Sequence, residues 1–201
     1  MTPALITLGL SVAALGSYVA YRFARQAPPA EAAAEQAAND THGLVTQLPD
    51  FTLPNLDGRP QSIKSLSGKP MLINFWATWC GPCRREIPLL KNLQKQNPWL
   101  TVVGIATLDH PDAVQKYAKD IKFNYPVLVD KPDSMDAATR FGVEVFALPF
   151  TVFADSGGRV LGVHTGELHP EQIENVLAVF KGLEQQSLDV DAARKRIAAK
   201  M

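Results

Sequence analysis

Two cysteines, the only ones in the 201-residue chain, lie three positions apart in the segment Trp79-Cys80-Gly81-Pro82-Cys83. On the first turn of a helix this spacing brings two sulfur atoms within bonding distance, and the unpaired backbone N–H groups there favour the thiolate of Cys80 over its thiol. A chain with two thiols cannot form a disulfide-stapled mini-fold or a four-thiolate zinc site. The pair therefore predicts a redox dithiol or a partial site for a thiophilic metal ion.

The positions of the two sulfurs predict different roles in a redox cycle. Cys80, at the start of the helix, is expected to attack a substrate disulfide and form a mixed disulfide. Cys83, one turn inside and facing the core, is expected to release the substrate by closing the bond with Cys80. This cycle needs no further nucleophile.

The elements that position this pair follow from apolar runs and turn residues. Apolar runs bounded by turn residues predict strands at Met71–Trp76, Thr101–Thr107, Tyr125–Asp130, Phe150–Asp155 and Arg159–Gly166. Helical patterns occur at Cys80–Gln96, Pro111–Asp120, Ser134–Phe141 and Pro170–Leu183. A hairpin before the first central strand is predicted around Phe51–Leu53 and Gln61–Ile63. The resulting fold class is α/β, a mixed sheet with helices on both faces and an antiparallel edge.

Composition restricts the possible partners. With 20 Lys plus Arg against 20 Asp plus Glu the formal net charge is zero, so no global field attracts a phosphate backbone. A nucleic-acid binder that works through bulk charge is therefore disfavoured. The 46% of hydrophobic side chains suffices for a full core.

The N-terminal residues 1–25 are expected to form a transmembrane anchor. Residues 3–20 carry no charge, and a helix of that length spans about 27 Å, close to the hydrocarbon thickness of a bilayer. No Lys or Arg precedes the apolar run and no small-x-small cleavage site follows it, which favours an uncleaved anchor over a signal peptide. Arg22 and Arg25 follow the run, and by the positive-inside rule they favour a cytoplasmic location for what comes after.

Beyond the anchor we expect three further segments. Residues 26–47 are rich in Ala, Glu, Gln and Pro and predict a flexible tether with a reach on the order of 25 Å. Residues 48–186 are expected to form one globular domain. Residues 187–201 are basic and helix-prone and are expected to form a helical tail.

The motif FWATWCGPC, followed by Pro88 and by an isolated Leu148-Pro149 before a strand, resembles thioredoxin. Three further features resemble the membrane-tethered, extracytoplasmic relatives of the TlpA, ResA and cytochrome c maturation type. They are the opening PDFTLPNLDGRPQSIKSLSGKP, the CRREIP after the cysteines, and an extra helix and strand between His110 and Asp130. The resemblance implies a thioredoxin fold whose central mixed sheet carries an N-terminal hairpin and a helix–strand insertion.

The same resemblance implies roles for the residues around the cysteines. Cys80 is then the exposed nucleophile, Cys83 the buried resolving thiol, and Pro149 a cis proline packed beside their disulfide. Leu148 would offer its backbone to an extended substrate segment. The other substrate-binding residues would be Trp79, which shields the sulfurs unless it is a plain core aromatic, and the intervening dipeptide Gly81 and Pro82. That dipeptide is similar to the one in the reducing thioredoxins and favours a reductant.

One departure from thioredoxin concerns proton transfer. Thioredoxin has a buried Asp six residues before the first cysteine, and this chain has Asn74, which cannot accept a proton. A Glu three residues after the second cysteine of the membrane-tethered relatives is similar to Glu86, which we consider as the acid/base for Cys83 or, alternatively, as a solvated surface residue. Arg84 and Arg85 are either plain surface charges or a source of positive potential that favours the thiolate.

The remaining polar residues predict no further site. The four histidines are scattered without ligand spacing and predict no metal site: His42, His110, His164 and His169. The aspartates at predicted loops and helix starts are expected to cap helices: Asp109, Asp112, Asp130, Asp133 and Asp136. Three aromatic side chains near Pro149 are expected in the core or along an apolar groove: Phe141, Phe146 and Phe150.

The function predicted from these features is a thiol-disulfide oxidoreductase that reduces disulfides of exported proteins, in the manner of cytochrome c maturation. It needs no cofactor, acts as a monomer, is re-reduced by a membrane thiol protein and is held by its helix at the inner membrane, with the catalytic domain in the periplasm. This location conflicts with the positive-inside signal of Arg22 and Arg25. A peroxiredoxin is disfavoured because no Pro and Thr are poised before Cys80. The alternative is a module that binds and delivers copper or zinc through Cys80 and Cys83.

Overall fold

A five-stranded mixed sheet lies at the centre of the computed structural model, which describes residues 45–131, 135–143 and 147–201. In spatial order its strands are β5 (Val127–Val129), β4 (Thr101–Ala106), β3 (Met71–Trp76), β6 (Phe150–Ala154) and β7 (Val160–Thr165). The strands β3, β4 and β5 run parallel, and β6 and β7 are antiparallel to their neighbours. The predicted mixed α/β sheet with an antiparallel edge is confirmed.

The central strand β3 is buried along its whole length because both faces of the sheet are covered. Leu72 and Trp76 point into a core that also contains both cysteines. Ile73 and Phe75 point into a second core on the opposite face. Phe75 stacks on Phe150 there, with ring centroids 4.3 Å apart.

Phe141 belongs to the second core as well, in edge contact with Phe75. Phe141 and Phe150 are therefore core side chains. Phe146 lies outside the described residues.

Three of the helices in the described residues lie between strands of the sheet, and two follow its last strand. They are α1 (Gly81–Gln96), α2 (Pro111–Ile121), α3 (Asp136–Thr139), α4 (Pro170–Glu184) and α5 (Val190–Ala198). The early hairpin consists of β1 (Thr52–Pro54) and β2 (Pro60–Ser62), followed by a 3-10 helix at Ile63–Leu66. The helix α1 continues through Pro88.

The helix α3 is shorter than the predicted Ser134–Phe141. It ends before Gly142, whose φ of 74° lies in the left-handed region that does not continue a helix. Asp130 stabilises its start by accepting a hydrogen bond of 3.0 Å from the Ala137 backbone. Asp130 thus binds a first-turn N–H of α3 from outside the helix, whose N-cap residue is Met135, while Asp133 lies outside the described residues.

The C-terminal helix α5 packs on β7 and α4. Gly162 on β7 leaves the space that Ile197 fills, since a Cβ at Gly162 would lie 2.9 Å from Ile197 Cγ2. Arg194 donates a hydrogen bond of 3.1 Å to the Val160 carbonyl. The same strand is joined from the N-terminal side, where the Val160 backbone donates to Thr46 at 3.0 Å.

Within the three described ranges no helix is both long and apolar enough to cross a membrane. The anchor expected at residues 1–25 lies outside those ranges, as does the expected tether up to residue 44.

Candidate active site

The two cysteines lie where β3 leads into α1, and their sulfurs form a disulfide with an S–S distance of 1.97 Å. Cys80 is the N-cap residue of α1, with an extended backbone. Its Sγ accepts a hydrogen bond of 3.2 Å from the Cys83 backbone N–H. A donor at the positive end of a helix favours negative charge on that sulfur once the disulfide opens.

The expectation that Cys80 is exposed is wrong for this disulfide form. Cys80 is only 3% exposed and Cys83 is fully buried. Both belong to the same apolar cluster as Leu72 and Trp76, and the bond to Cys83 holds the Cys80 sulfur against that cluster.

Glu86 lies one helical turn after Cys83 and is buried, so the alternative of a solvated surface residue is wrong. Both of its carboxylate oxygens accept hydrogen bonds: Oε1 from Asn74 Nδ2 at 2.7 Å and Oε2 from the Leu168 backbone at 2.9 Å. Burial raises the pKa of Glu86 to about 7, a rise that these two hydrogen bonds limit and that the nearby charge of Glu167 increases.

The polar groups around Glu86 come from three neighbouring strands at one register position. Asn74 on β3 pairs with Thr151 on β6, which in turn pairs with His164 on β7. Asn74 Nδ2 also donates to Thr151 Oγ1 at 3.0 Å. Tyr125 packs next to Gly104 on β4. Burial is the larger cause that raises the pKa of its hydroxyl, and the charge of Glu86 raises it further.

Several buried polar atoms of this region have no hydrogen-bond partner within the described residues. They are Asn74 Oδ1, Trp76 Nε1, Tyr125 OH and His164 Nδ1. Asn74 and Trp76 are two residues apart and therefore share one face of β3, the face against which the cysteines pack. The core behind the disulfide is therefore unusually polar for its depth.

Pro149 is preceded by a cis peptide bond from Leu148, as predicted. It directly precedes β6, whose first residue, Phe150, pairs with Phe75 in the antiparallel register. Pro149 thus lies at the end of the sheet where β3 finishes and the chain continues to Cys80. Leu148 is partly buried and packs against the cluster that contains both cysteines.

Trp79 is 60% exposed, so the alternative of a core aromatic is wrong. Its indole Nε1 donates a hydrogen bond of 2.8 Å to the Leu108 carbonyl. Asp109, the next residue, accepts a hydrogen bond of 2.5 Å from the Thr78 backbone N–H. The loop after β4 therefore holds the loop that precedes Cys80.

The sequence pattern of the AhpC/TSA family matches residues 45–163, more than half of the chain. The chain belongs to the AhpC/TSA family. The thiol-disulfide oxidoreductase ResA of Geobacillus thermodenitrificans is 33% identical over 137 residues, which cover 66% of this chain and 75% of that protein.

Two solved structures are similar to the same region. The crystal structure of a thiol:disulfide interchange protein of the thioredoxin family from Chlorobium tepidum has 32% identity and a TM-score of 0.59, and the match covers 66% of this chain and 94% of that one. That of a secreted thiol-disulfide isomerase from Corynebacterium glutamicum has 26% identity and a TM-score of 0.58, covering 68% and 90%. Together with the Cys80–Cys83 disulfide, these similarities make the chain a thiol-disulfide oxidoreductase with the thioredoxin fold, as its resemblance implied.

This family member also carries an ion pair beside the disulfide helix. Arg85 binds Glu167 through two nitrogens, with Nε at 3.0 Å and Nη2 at 2.6 Å from Oε2. Arg85 is therefore more than an unpaired surface charge, whereas Arg84 is exposed at the surface of α1.

Three of the four histidines lie within the described residues. His110 and His169 are the N-cap residues of α2 and α4. His164 is buried on β7, where its Nε2 lies 3.3 Å from the Glu167 carbonyl. His42 lies outside the described residues, among which no group of three or more His, Cys, Asp or Glu side chains is placed to hold a metal ion.

Sequence reasoning missed Asp109, Thr151, Glu167 and the backbone of Leu168 as parts of this site. The sequence predicts a helix cap at Asp109, but the parallel pairing of β3 with β4 brings the segments that follow these two strands to the same end of the sheet. That pairing is the signal that identifies Asp109. Glu167 and Leu168 lie 82 residues from their partners on α1, a separation that local patterns do not reveal.

Proposed function

We propose that the protein is a membrane-tethered reductase of disulfides in exported proteins, such as apocytochrome c and the precursors of cuproproteins and haem proteins. The observation that carries the proposal is the hydrogen bond from the Cys83 backbone to Cys80 Sγ at the first turn of α1. The buried carboxyl of Glu86, one turn behind Cys83, supports it.

In the proposed cycle the reduced enzyme acts first through Cys80. Its thiolate attacks one sulfur of the substrate disulfide, a mixed disulfide forms, and the other substrate sulfur leaves as a thiolate that takes up a proton. Cys83 then attacks the Cys80 sulfur, closes the intramolecular disulfide and releases the second substrate thiolate. The substrate gains two electrons and the enzyme loses two.

Glu86 is proposed as the acid/base that serves Cys83. Before Cys83 can attack, its thiol must lose a proton inside an apolar cluster. A carboxyl whose pKa burial raises to about 7 can take that proton and return it near neutral pH. Cys83 and Glu86 are three residues apart and share the buried face of α1.

The substrate is proposed to bind along the surface formed by Trp79, Gly81, Pro82 and Leu148. The exposed indole of Trp79 offers an apolar surface that its bond to Leu108 holds in place. Pro149 leaves the Leu148 backbone for an extended substrate segment and itself has no N–H to offer.

The proposed direction is reduction, because Gly81-Pro82 is similar to the dipeptide of reducing thioredoxins. The oxidised enzyme then needs an electron donor, since its own disulfide is the product of each turnover. In the periplasm, which has no glutathione pool, a membrane thiol protein would supply the electrons. On the cytoplasmic side a thioredoxin-type donor would do so.

We propose that residues 1–25 anchor the chain and that the catalytic domain faces the periplasm. The secreted thiol-disulfide isomerase among the similar structures supports this side, and Arg22 and Arg25 oppose it. A reporter fused to the C-terminus and active in only one compartment decides between the two orientations. Activity on the cytoplasmic side alone would refute the periplasmic location.

The activity is tested by insulin reduction with the full chain in detergent micelles and dithiothreitol as donor. Cys80→Ser and Cys83→Ser form a matched pair. We expect both variants to lose turnover, and only Cys83→Ser to trap substrate as a mixed disulfide. Absence of turnover by the wild type, together with stoichiometric retention of copper(I) or zinc, would favour the metal-delivery alternative instead.

A further inference from the structure

Two consecutive residues of α1 contact two consecutive residues of the loop that follows β7. Arg85 forms the ion pair with Glu167, while Glu86 Oε2 accepts the backbone hydrogen bond of Leu168. The first contact lies at the surface, where the side chains of Arg85 and Glu167 are 63% and 20% exposed. The second contact is buried.

This arrangement places an ion pair beside the loop residue whose backbone binds the buried carboxyl of Glu86. The carboxylate of Glu167 disfavours a second negative charge on Glu86 and so raises its pKa. Arg85 lies against Glu167 and neutralises its charge. A single substitution of Glu167 removes the charge that raises the pKa of Glu86, and a single substitution of Arg85 leaves that charge without its partner.

We propose that the Arg85–Glu167 pair is a charge-setting device that adjusts the pH at which the buried Glu86 gives up its proton, and thereby the pH range in which Cys83 attacks the mixed disulfide. The first part concerns Glu86 alone, and the second rests on the proposed function. Arg85 and Glu167 are positioning residues in this scheme, since they act through Glu86.

The other groups that face Glu86 do not provide such a charge. Asn74 on β3 and Thr151 on β6 carry none. Tyr125, two residues before β5, remains a neutral phenol because burial raises its pKa. His164 on β7 contacts the backbone of Glu167, and burial lowers its pKa, which favours the neutral ring.

The test is a carboxyl ¹³C NMR titration of Glu86 in the oxidised full chain, in micelles at low salt. Glu167→Gln removes the negative charge, so we expect the pKa of Glu86 to fall by on the order of 0.5. Arg85→Gln leaves Glu167 without its counter-charge, so we expect a rise of similar size. The double variant should return close to the wild-type value, and high salt should shrink both shifts.

A purely mechanical role predicts a different pattern. If the ion pair only held the loop in place, either substitution would loosen the hydrogen bond from Leu168, and the pKa of Glu86 would rise in both variants. A rise in Glu167→Gln, or no change in either variant, would overturn the proposal. Asp57→Asn serves as the control, because it breaks a comparable exposed ion pair with Arg59 in the β1–β2 hairpin and should leave Glu86 unchanged.

The same variants are then assayed for insulin reduction as a function of pH. We expect the pH midpoint of the rate of mixed-disulfide resolution to move down in Glu167→Gln and up in Arg85→Gln. Opposite NMR shifts without turnover by the wild type would leave the charge-setting role intact and refute the reductase function. If the wild type turns over insulin but the pKa of Glu86 is the same in both variants as in the wild type, the charge-setting role is refuted and the reductase function stands.

Discussion

Asn74 donates a hydrogen bond of 2.7 Å to Glu86, from the central strand β3 to the helix that carries both cysteines. An amide neither takes up nor releases a proton at ordinary pH, so the titratable member of this pair is Glu86 on the helix. Thioredoxin, by the resemblance, has its acid on the strand. In this chain Asn74 instead holds a carboxyl that lies one helical turn from Cys83.

Replacement of Glu86 by Gln should slow resolution of the mixed disulfide by about 100-fold at neutral pH, the lower end of what general acid–base catalysis contributes. Gln fits the site because the Asn74 amide can turn its oxygen towards the new NH₂ group. Attack by Cys80 should be little affected. Rapid-quench measurement of the mixed disulfide should therefore show it accumulating in Glu86→Gln.

Glu171→Gln is the control for this kinetic prediction, since Glu171 is an exposed acid in the first turn of α4. Its rates should equal those of the wild type. Equal resolution rates in Glu86→Gln and the wild type would remove Glu86 from the mechanism.

The stability of the folded chain should carry the signature of Glu86. Its pKa is about 7 in the folded chain against an ordinary value of 4.5, so between these pH values the folded state holds a proton that the unfolded state has released. The contribution of Glu86 to the free energy of unfolding therefore falls as pH rises from about 4.5 to about 7, by at most about 3 kcal/mol. Below 4.5 this contribution is constant.

The measurement is urea unfolding of the wild type and Glu86→Gln at several pH values, with tryptophan fluorescence as the probe of unfolding. The difference between the two proteins isolates Glu86, because all other titrating groups are shared. Relative to the variant, the wild type should lose stability across this range. A difference that does not depend on pH would contradict the raised pKa.

The sequence predicts those features of the fold that depend on residues close together along the chain. The six apolar residues Met71–Trp76 predict the central strand, and Cys80, Gly81 and Pro82 predict the start of α1. It does not predict the burial of Glu86, because the partner Leu168 is 82 residues away and contributes only a backbone N–H, which any residue except proline supplies. The exposure of Cys80 was wrongly predicted, since the sequence does not show how closely the disulfide packs into the core.

The hydrogen bond from Thr78 to Asp109 should stabilise the loop before Cys80. Asp109→Ala removes the acceptor from this partly buried N–H and should cost about 1–3 kcal/mol, whereas Asp109→Asn keeps a carbonyl acceptor and should cost less. Because Leu108 precedes Asp109 and binds Trp79, the fluorescence of Trp79 should change as well. Urea unfolding and emission spectra measure the two effects.

Asp120→Ala is the control for the loop, since Asp120 is exposed near the end of α2 and should change stability by less than about 0.5 kcal/mol. A cost for Asp109→Ala no larger than that of Asp120→Ala would show that the loop after β4 does not support the loop before Cys80.

The contact between Gly162 and Ile197 should couple the C-terminal helix α5 to the sheet. Gly162→Ala places a Cβ 2.9 Å from Ile197 Cγ2, and this overpacking should cost about 1–3 kcal/mol. Ile197→Ala leaves a cavity that should cost about 2–5 kcal/mol. In the double variant the new methyl group enters the space that Ile197 leaves, so the combined cost should be smaller than the sum by at least about 1 kcal/mol.

Urea unfolding of the four proteins measures this coupling. Gly157→Ala, in the exposed β6–β7 turn, is the control and should stay within about 0.5 kcal/mol of the wild type. Additive costs would show that the two positions do not interact in solution and would contradict the packing of Ile197 of α5 against Gly162 of β7.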